Sequence, residues 1–188
     1  MGKREHTVNP WLVLAENNHL ETKRLRLRPV TLADAAAMYQ YASDDETVRF
    51  VFPKHTSIEC TKKEIASYFL KEPLGKYGIE LKENNVFIGT VDLRMIQLFC
   101  AEIGYTLNKA YWGHGYMPEA CEVLKKLAFE QLKISRLQAV HDARNPKSGR
   151  VMEKIGMKKE GLLRQSSERK GEIVDDWMYS MTLGEYQQ

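Results

Sequence analysis

From Ala101 to Ala120 the chain reads Ala-Glu-Ile-Gly-Tyr-Thr-Leu-Asn-Lys-Ala-Tyr-Trp-Gly-His-Gly-Tyr-Met-Pro-Glu-Ala. A strand-like apolar pattern enters the turn Gly113-His114-Gly115, and an amphipathic helical pattern follows at once. That order points backbone N–H groups and the positive end of a helix dipole at one spot, which suits an anion such as a cofactor phosphate. The same glycines would also serve a tight strand-to-helix turn with no ligand. Two other phosphate loops do not fit. The dinucleotide fingerprint needs a third glycine where this chain has Pro118, and a nucleotide triphosphatase loop needs Gly-Lys-Ser/Thr, which the sequence lacks.

The elements that must position this turn follow from periodicity. Arg24-Leu-Arg-Leu-Arg28 alternates as a half-buried strand, with its three arginines expected on a solvated face. Thr31 and Asp34 make a capping-box pattern, with Asp in place of Glu, before a helix that carries Ala35, Met38, Tyr39 and Ala42 on one face. Ser57 is expected to cap a second helix with Ile58, Ile65, Tyr68 and Phe69 turned inward. Residues 78–82 and 86–91 flank Glu83-Asn84-Asn85 as a hairpin. Cys100 to Leu107 reads as a strand, Pro118 to Lys133 as a helix with Pro118 at its first position, and Arg136 to His141 as a strand. Asn145-Pro146 predicts an N-cap with a first-turn proline, and Gly156 the helix stop. Glu160 to Gln165 and Ile173 to Leu183 read as closing strands around Lys170-Gly171. Strands alternating with helices, with hairpins at both ends, predict a mixed-sheet α/β (α+β) fold.

A length of 188 residues predicts one domain, taken as residues 21–188, with residues 1–20 as an N-terminal extension whose Trp11-Leu-Val-Leu14 run leans toward packing. Hydrophobic content of 43%, charged content of 28% and a net charge of +3 fit a soluble globular chain. The charge is compatible with an anionic cofactor and too small to argue for nucleic acid. Cys60, Cys100 and Cys121 are isolated and lack metal-type spacing, so no metal and no disulfide framework is expected. The start has a basic head without an apolar core behind it, and no run approaches 18 apolar residues. A cytoplasmic protein with no membrane partner is the expectation, as monomer or homodimer.

Trp112-Gly-His-Gly115-Tyr-Met117 resembles the acyl-CoA loop of the GNAT acetyltransferase superfamily, Gln/Arg-x-x-Gly-x-Gly/Ala. Trp112 stands at the first position, Gly115 at the glycine and Met117 at the small residue. The flanks are similar to the RimJ/RimL branch: Ala101-Glu-Ile-Gly-Tyr, Tyr-Trp-Gly-x-Gly-Tyr and Glu119-Ala120, then Asn145-Pro-Lys-Ser148, Val151, Glu153-Lys154, Gly156, Glu160-Gly161 and Leu163-Arg164. Leu25-Arg-Leu-Arg28-Pro and Asp34-Ala35 extend the likeness, which covers residues 20–184.

This resemblance implies a GNAT-type mixed, mostly antiparallel central sheet flanked by helices, with a V-shaped splay between the strands Glu102–Leu107 and Arg136–His141. It implies acetyl-CoA, with the coenzyme A pyrophosphate on the backbone of Trp112, Gly113, His114, Gly115, Tyr116 and Met117. The pantetheine arm would lie in the splay, pairing with backbone near Tyr105, Thr106 and Leu107. Asn145 would reach that arm or only cap its helix, and Lys154 would approach the 3′-phosphate or stay solvated. The residue that protonates the leaving thiolate in many relatives is a tyrosine where this chain has Met152, so Ser148 is the candidate donor. Glu102 is the candidate for taking the amine proton, or else a structural partner, with Glu168, Asp175 and Asp176 as fallbacks. His141, at a strand end, carries no assigned role.

Two departures stand out. Met117 must turn its bulk away from the phosphates, and Pro118 has no N–H to donate, a loss of about 1 kcal/mol of net hydrogen bonding. The implied activity is acetyl-CoA-dependent N-acetyl transfer, directly to a primary amine. The acceptor is expected to be a protein N-terminal amine of the ribosomal-protein type. A small amine (antibiotic, polyamine or amino acid) is the alternative acceptor, and a non-catalytic acyl-CoA sensor the alternative class. Nucleic acid is not an expected partner, since Arg24, Arg26 and Arg28 have no aromatic interleaving.

Overall fold

The computed structural model describes residues 8–188. Its strands are β1 (Leu20–Glu21), β2 (Leu25–Arg28), β3 (Lys76–Leu81), β4 (Phe87–Gln97), β5 (Cys100–Leu107), β6 (Arg136–Asp142), β7 (Lys158–Arg169) and β8 (Glu172–Thr182). Its helices are α1 (Pro10–Glu16), α2 (Ala35–Ala42), α3 (Asp45–Val48), α4 (Ile58–Glu64), α5 (Tyr116–Lys126), α6 (Pro146–Lys154) and α7 (Leu183–Tyr186). All eight strands join one sheet in the order β1-β2-β3-β4-β5-β6-β8-β7. Every neighbouring pair is antiparallel except β5 with β6. The chain thus has the mixed, mostly antiparallel sheet flanked by helices that the sequence predicts.

Alternation builds the core. Leu25 and Leu27 on β2 are fully buried, as are Val91 and Leu93 on β4, and they meet the α5 stripe of Met117, Ala120, Cys121 and Leu124. Each large side chain removed from water contributes about 1.5–3 kcal/mol. A smaller cluster of Val30, Ala35, Met38, Tyr41, Ala42, Ile65 and Phe87 seats α2. The capping box of Thr31 and Asp34 forms as the sequence predicts, and Gly156 closes α6 at φ +84°. Met117 is buried, so its bulk is spent on the core and not on the loop above it.

Several local expectations are corrected. The three arginines of the β2 segment do not float in solvent. Arg26 pairs with Glu80 at 2.9 Å, and Arg28 bridges Glu80 at 2.9 Å and Asp34 at 2.8 Å. The helix expected from Pro118 starts at Tyr116, so Pro118 is its third residue. It ends in a π-helical turn, Leu127–Gln131. A second π-helical turn, Ile65–Leu70, follows α4. The wider turn breaks the 3.6 period, so Tyr68 is exposed three residues after the buried Ile65; Ile58, at the first position of α4, is exposed as well, against the single inward face predicted. Of the segment expected as an extension, residues 8–20 include α1, which buries Leu14 under the sheet, and Tyr77 Oη donates to the Asn17 carbonyl at 2.8 Å. Residues 1–7 lie outside the described residues. No helix among the described residues is long and apolar enough to cross a membrane.

Candidate functional site

β5 and β6 pair only through Cys100–Arg136, Ala101–Leu137 and Glu102–Gln138. β5 then runs on to Leu107 and β6 to Asp142 without touching each other's backbone, β6 staying paired with β8 along its whole length. This is a V opening just past Glu102. Trp112 to Pro118 and the first turn of α6 stand around its mouth, and the whole lines one cleft of 1840 Å³.

The loop at the mouth is built to present N–H groups. Gly113 and Gly115 hold φ of +83° and +78°, the left-handed region that glycine enters without strain. Gly115 is the N-cap of α5. Among the described residues the N–H groups of Gly113, His114 and Gly115 take no backbone partner. A Cβ on Gly113 would meet nothing within 4 Å, so the hollow above it is open. Unpaired donors, open space and a helix N-terminus together fit a phosphate group. Pro118 removes one donor from the first turn, as expected from sequence.

Trp112 is not the phosphate donor expected from sequence: its backbone N–H donates to the Lys109 carbonyl at 3.1 Å, and its Nε1–H donates to the Leu107 carbonyl at 2.8 Å. That bond ties the end of β5 to the loop, and it engages the Leu107 carbonyl that had been expected to pair with a pantetheine amide. Lys147 Nζ sits 4.2 Å over the indole ring. Tyr105 and Thr106 remain on the splayed part of β5. Tyr116 stacks on the exposed His114 ring.

Arg24 is a brace that the sequence pattern does not reveal. Its Nη1 donates to the His114 carbonyl at 2.9 Å, its Nε to Glu119 at 2.6 Å, and its guanidinium lies 4.4 Å over the Tyr116 ring. Glu119 also accepts from Thr22 and the Arg24 N–H. Burial opposes its ionisation, but these donors outweigh that and hold the carboxyl below its usual range. No local signal could point to this clamp, because its halves lie 95 residues apart.

Across the V, Ser148 on α6 donates from Oγ to Tyr105 Oη at 3.0 Å, and Tyr105 Oη donates to the Ser148 carbonyl at 2.8 Å. Burial pushes the Tyr105 phenol well above its ordinary value, so it stays protonated. Met152 is buried, leaving Ser148 as the hydroxyl of this helix beside the splay. Asn145 precedes Pro146 as expected, but its side chain caps nothing; the Asn145 carbonyl instead accepts from the Ser148 N–H at 3.2 Å. Lys154, exposed in the last turn of α6, is on the cleft wall.

The carboxylates sort by geometry. Glu102 accepts from Arg94 Nη2 at 2.8 Å and from Gln138 Nε2 at 3.0 Å, so both oxygens are engaged. Glu168, Asp175 and Asp176 are absent from the cleft lining. Asp175 accepts from the Gln165 N–H, and Asp176 is buried against Arg169, Ser166 and Ser167. These fallback residues serve the β7–β8 hairpin. His141 is buried, donates from Nδ1 to the Asp142 carbonyl at 2.8 Å, and has its pKa lowered by burial. Asp92 faces the cleft unannounced; the clue in the sequence is one acid inside the apolar run Val91-Asp-Leu93.

Residues 24–158 match the Acetyltransferase (GNAT) domain family. An uncharacterized N-acetyltransferase of Bacillus licheniformis, p20, is 32% identical over 173 residues, which is 89% of this chain and 97% of that protein. The crystal structure of a GNAT-family acetyltransferase from Bacillus anthracis superposes with a TM-score of 0.80 at 26% identity, covering 89% of this chain and 99% of that one. RimL, a ribosomal L7/L12 alpha-N-protein acetyltransferase in complex with coenzyme A, superposes with a TM-score of 0.73 over 86% of this chain and 95% of that one. At 22% identity that last likeness speaks to the fold alone.

Proposed function

The chain belongs to the GNAT acetyltransferase family and is an N-acetyltransferase; from that premise we propose that it transfers acetyl from acetyl-CoA to the N-terminal α-amine of a protein. The observation that carries the reading is the unpaired row of N–H groups at Gly113, His114 and Gly115, set at the mouth of the β5–β6 splay. The loop would hold the pyrophosphate, and the splay the pantetheine arm, with the backbone of Tyr105 turned away from β4 for its amides, while that of Thr106 pairs with Thr90. Acetyl-CoA supplies a thioester whose carbonyl carbon is attacked directly by the amine, so no cysteine need be acylated. Cys121 suits no such role in any case: burial pushes its thiol far above the ordinary range.

Energetics support an α-amine. Its pKa of about 7.7–8.0 makes the free base cost roughly 1 kcal/mol at pH 7, against roughly 4.6 kcal/mol for a lysine near 10.4. The test is thiol release from acetyl-CoA with three acceptor sets: unblocked peptides, N-blocked lysine peptides, and small amines including polyamines and aminoglycosides. The unblocked peptides should show the highest kcat/KM. Turnover confined to small amines would replace the proposed acceptor.

In this reading Ser148 returns a proton to the leaving sulfur, and the support is its place on the cleft wall with Oγ held 3.0 Å from Tyr105 Oη. Ser148→Ala should lower kcat by at least about 100-fold, the low end for a positioned acid, with coenzyme A affinity within about threefold of wild type. Steady-state kinetics and calorimetry read the two separately; unchanged kcat would end the role.

A further inference from the structure

Resting on the acyl-transfer reading above, we propose that Tyr68 and Asp92 form a relay that takes up the acceptor amine's proton, Tyr68 Oη touching the substrate and Asp92 acting as the buried sink. Asp92 pairs with Gly104, two residues beyond Glu102, the last β5 residue joined to β6. It therefore sits where the V begins to open. Alternation sends Val91 and Leu93 into the main core and leaves Asp92 and Arg94 on the cleft side. A Cβ at Gly104 would come within 2.9 and 3.1 Å of the two Asp92 oxygens, so the glycine makes the room this carboxylate occupies.

The hydrogen bonding of Asp92 is incomplete. Oδ1 is buried with no hydrogen-bond partner, although Arg94 Nε lies 3.0 Å away, out of line for a bond. A buried oxygen left unsatisfied is costly and calls for a reason. Oδ2 accepts from Tyr68 Oη at 3.1 Å. Tyr68 reaches the cleft because the π-helical turn swings it out of the apolar stripe, and such turns recur at functional sites. Its hydroxyl is the way in to a carboxylate that is otherwise closed off. Glu102, by contrast, has both oxygens occupied and acts as the anchor of Arg94.

The charges facing Asp92 are Arg94 on its own strand, Glu102 on β5, Lys76 on β3, and the Tyr68 phenol. Burial raises the Asp92 pKa; Arg94, the Tyr68 bond and Lys76 pull it down, Glu102 raises it further, and the net direction is up. Tyr68 is itself pushed up to about 12, chiefly by burial and by Asp92, so it rests protonated and passes protons on without becoming a free phenolate. The protons balance. The ammonium's first proton moves to Tyr68 Oη while the tyrosine's own proton moves to Asp92 Oδ2, which frees the nitrogen lone pair for the C–N bond. The second nitrogen proton ends on the sulfur that leaves with the C–S electron pair, delivered through Ser148 Oγ. Asp92 returns its proton to solvent by the reverse path.

The test measures kcat/KM against pH for an unblocked peptide with wild type, Asp92→Asn, Tyr68→Phe and Glu102→Gln. In wild type the acidic limb should lie below the amine's own pKa. In Asp92→Asn and Tyr68→Phe it should move up to that value, about 7.7–8.0, with kcat/KM at pH 7 lower by roughly 10-fold, the free-amine fraction at that pH, and coenzyme A affinity unchanged. Glu102→Gln removes a charge that raises Asp92, so its limb should move down and not up to the amine's value. Carboxyl carbon NMR on the protein alone gives a second readout, in which Asp92 titrates above about 3.9 and moves in Tyr68→Phe. This readout decides the matter if Asp92→Asn fails to fold. Wild-type transfer with the limb unmoved in both variants, or an Asp92 titrating as an ordinary aspartate, overturns the relay alone. A wild type that acetylates no amine overturns the acyl-transfer reading instead.

Discussion

Gly115→Val is expected to weaken coenzyme A binding by at least about 100-fold while leaving the protein folded. Gly115 holds φ +78° as the N-cap of α5. A β-branched residue held there carries a strain of order 1–3 kcal/mol, and tenfold in affinity corresponds to about 1.4 kcal/mol. A Cβ at this position would meet only Arg24 Nη2, at 3.6 Å, an ordinary contact. The cost is therefore conformational and not a clash, and the loop can relieve it by turning Gly115 to negative φ. Doing so swings the N–H groups of His114 and Gly115 off the common point where a phosphate would sit. Titration calorimetry with coenzyme A, alongside circular dichroism, reads both halves; native affinity in a folded variant would remove the phosphate assignment.

Arg28→Ala should lower stability by about 3 kcal/mol, at the low end of the range for breaking a buried pair, and Tm by about 6–12 °C for a chain of this size. Arg28 is three-quarters buried and holds two carboxylates that are more deeply buried, Asp34 and Glu80. Truncation leaves Asp34 without its charge partner and Glu80 with Arg26 alone, and it also loosens the capping box, since Asp34 Oδ2 accepts from Arg28 Nη1 and from the Thr31 N–H together. Arg26→Ala is the control, because Arg26 is 41% exposed and should cost within about 1 kcal/mol. The pH dependence has a definite sign. Burial works against Asp34 ionising, but Arg28 and Thr31 outweigh it and the folded pKa is lowered. A lowered carboxylate contributes stability that is present above its unfolded pKa and is lost as pH falls through the folded one. The gap in Tm between wild type and Arg28→Ala should therefore shrink on acidification; a gap independent of pH would count against the pairing as its cause.

Most of the elements were legible because they rest on local rules. The alternation of β2, the cap pattern of Thr31 and Asp34, the strand Cys100–Leu107 and the stop at Gly156 all appear as read. The errors cluster where a period changes within an element. The π-helical turn after α4 shifts the inward face past Ile65, and sequence periodicity has no term for an inserted residue. Charged residues were misread for a related reason. Arg24, Arg26 and Arg28 look solvent-facing on their own strand, and only Glu119, Glu80 and Asp34 arriving from other elements make them structural.

The candidate site divides the same way. The sequence by itself determined the backbone chemistry: the Gly-His-Gly turn, the helix that follows it, the Ser148 helix and the family pattern that joins them. Each turn and helix among them is a feature of its own contiguous stretch, where residue type dictates φ and donor geometry directly. The tertiary structure alone decided which side chains face one another across the V. It locked Glu102 between Arg94 and Gln138, committed the Leu107 carbonyl to Trp112, and set Ser148 against Tyr105. It also left Asp92 Oδ1 buried beside Arg94 without a hydrogen bond, and Oδ2 accepting from Tyr68. A side chain's chemistry depends on partners, burial and the charges packed against it, and those come from residues far away in the chain that are brought close only by the fold.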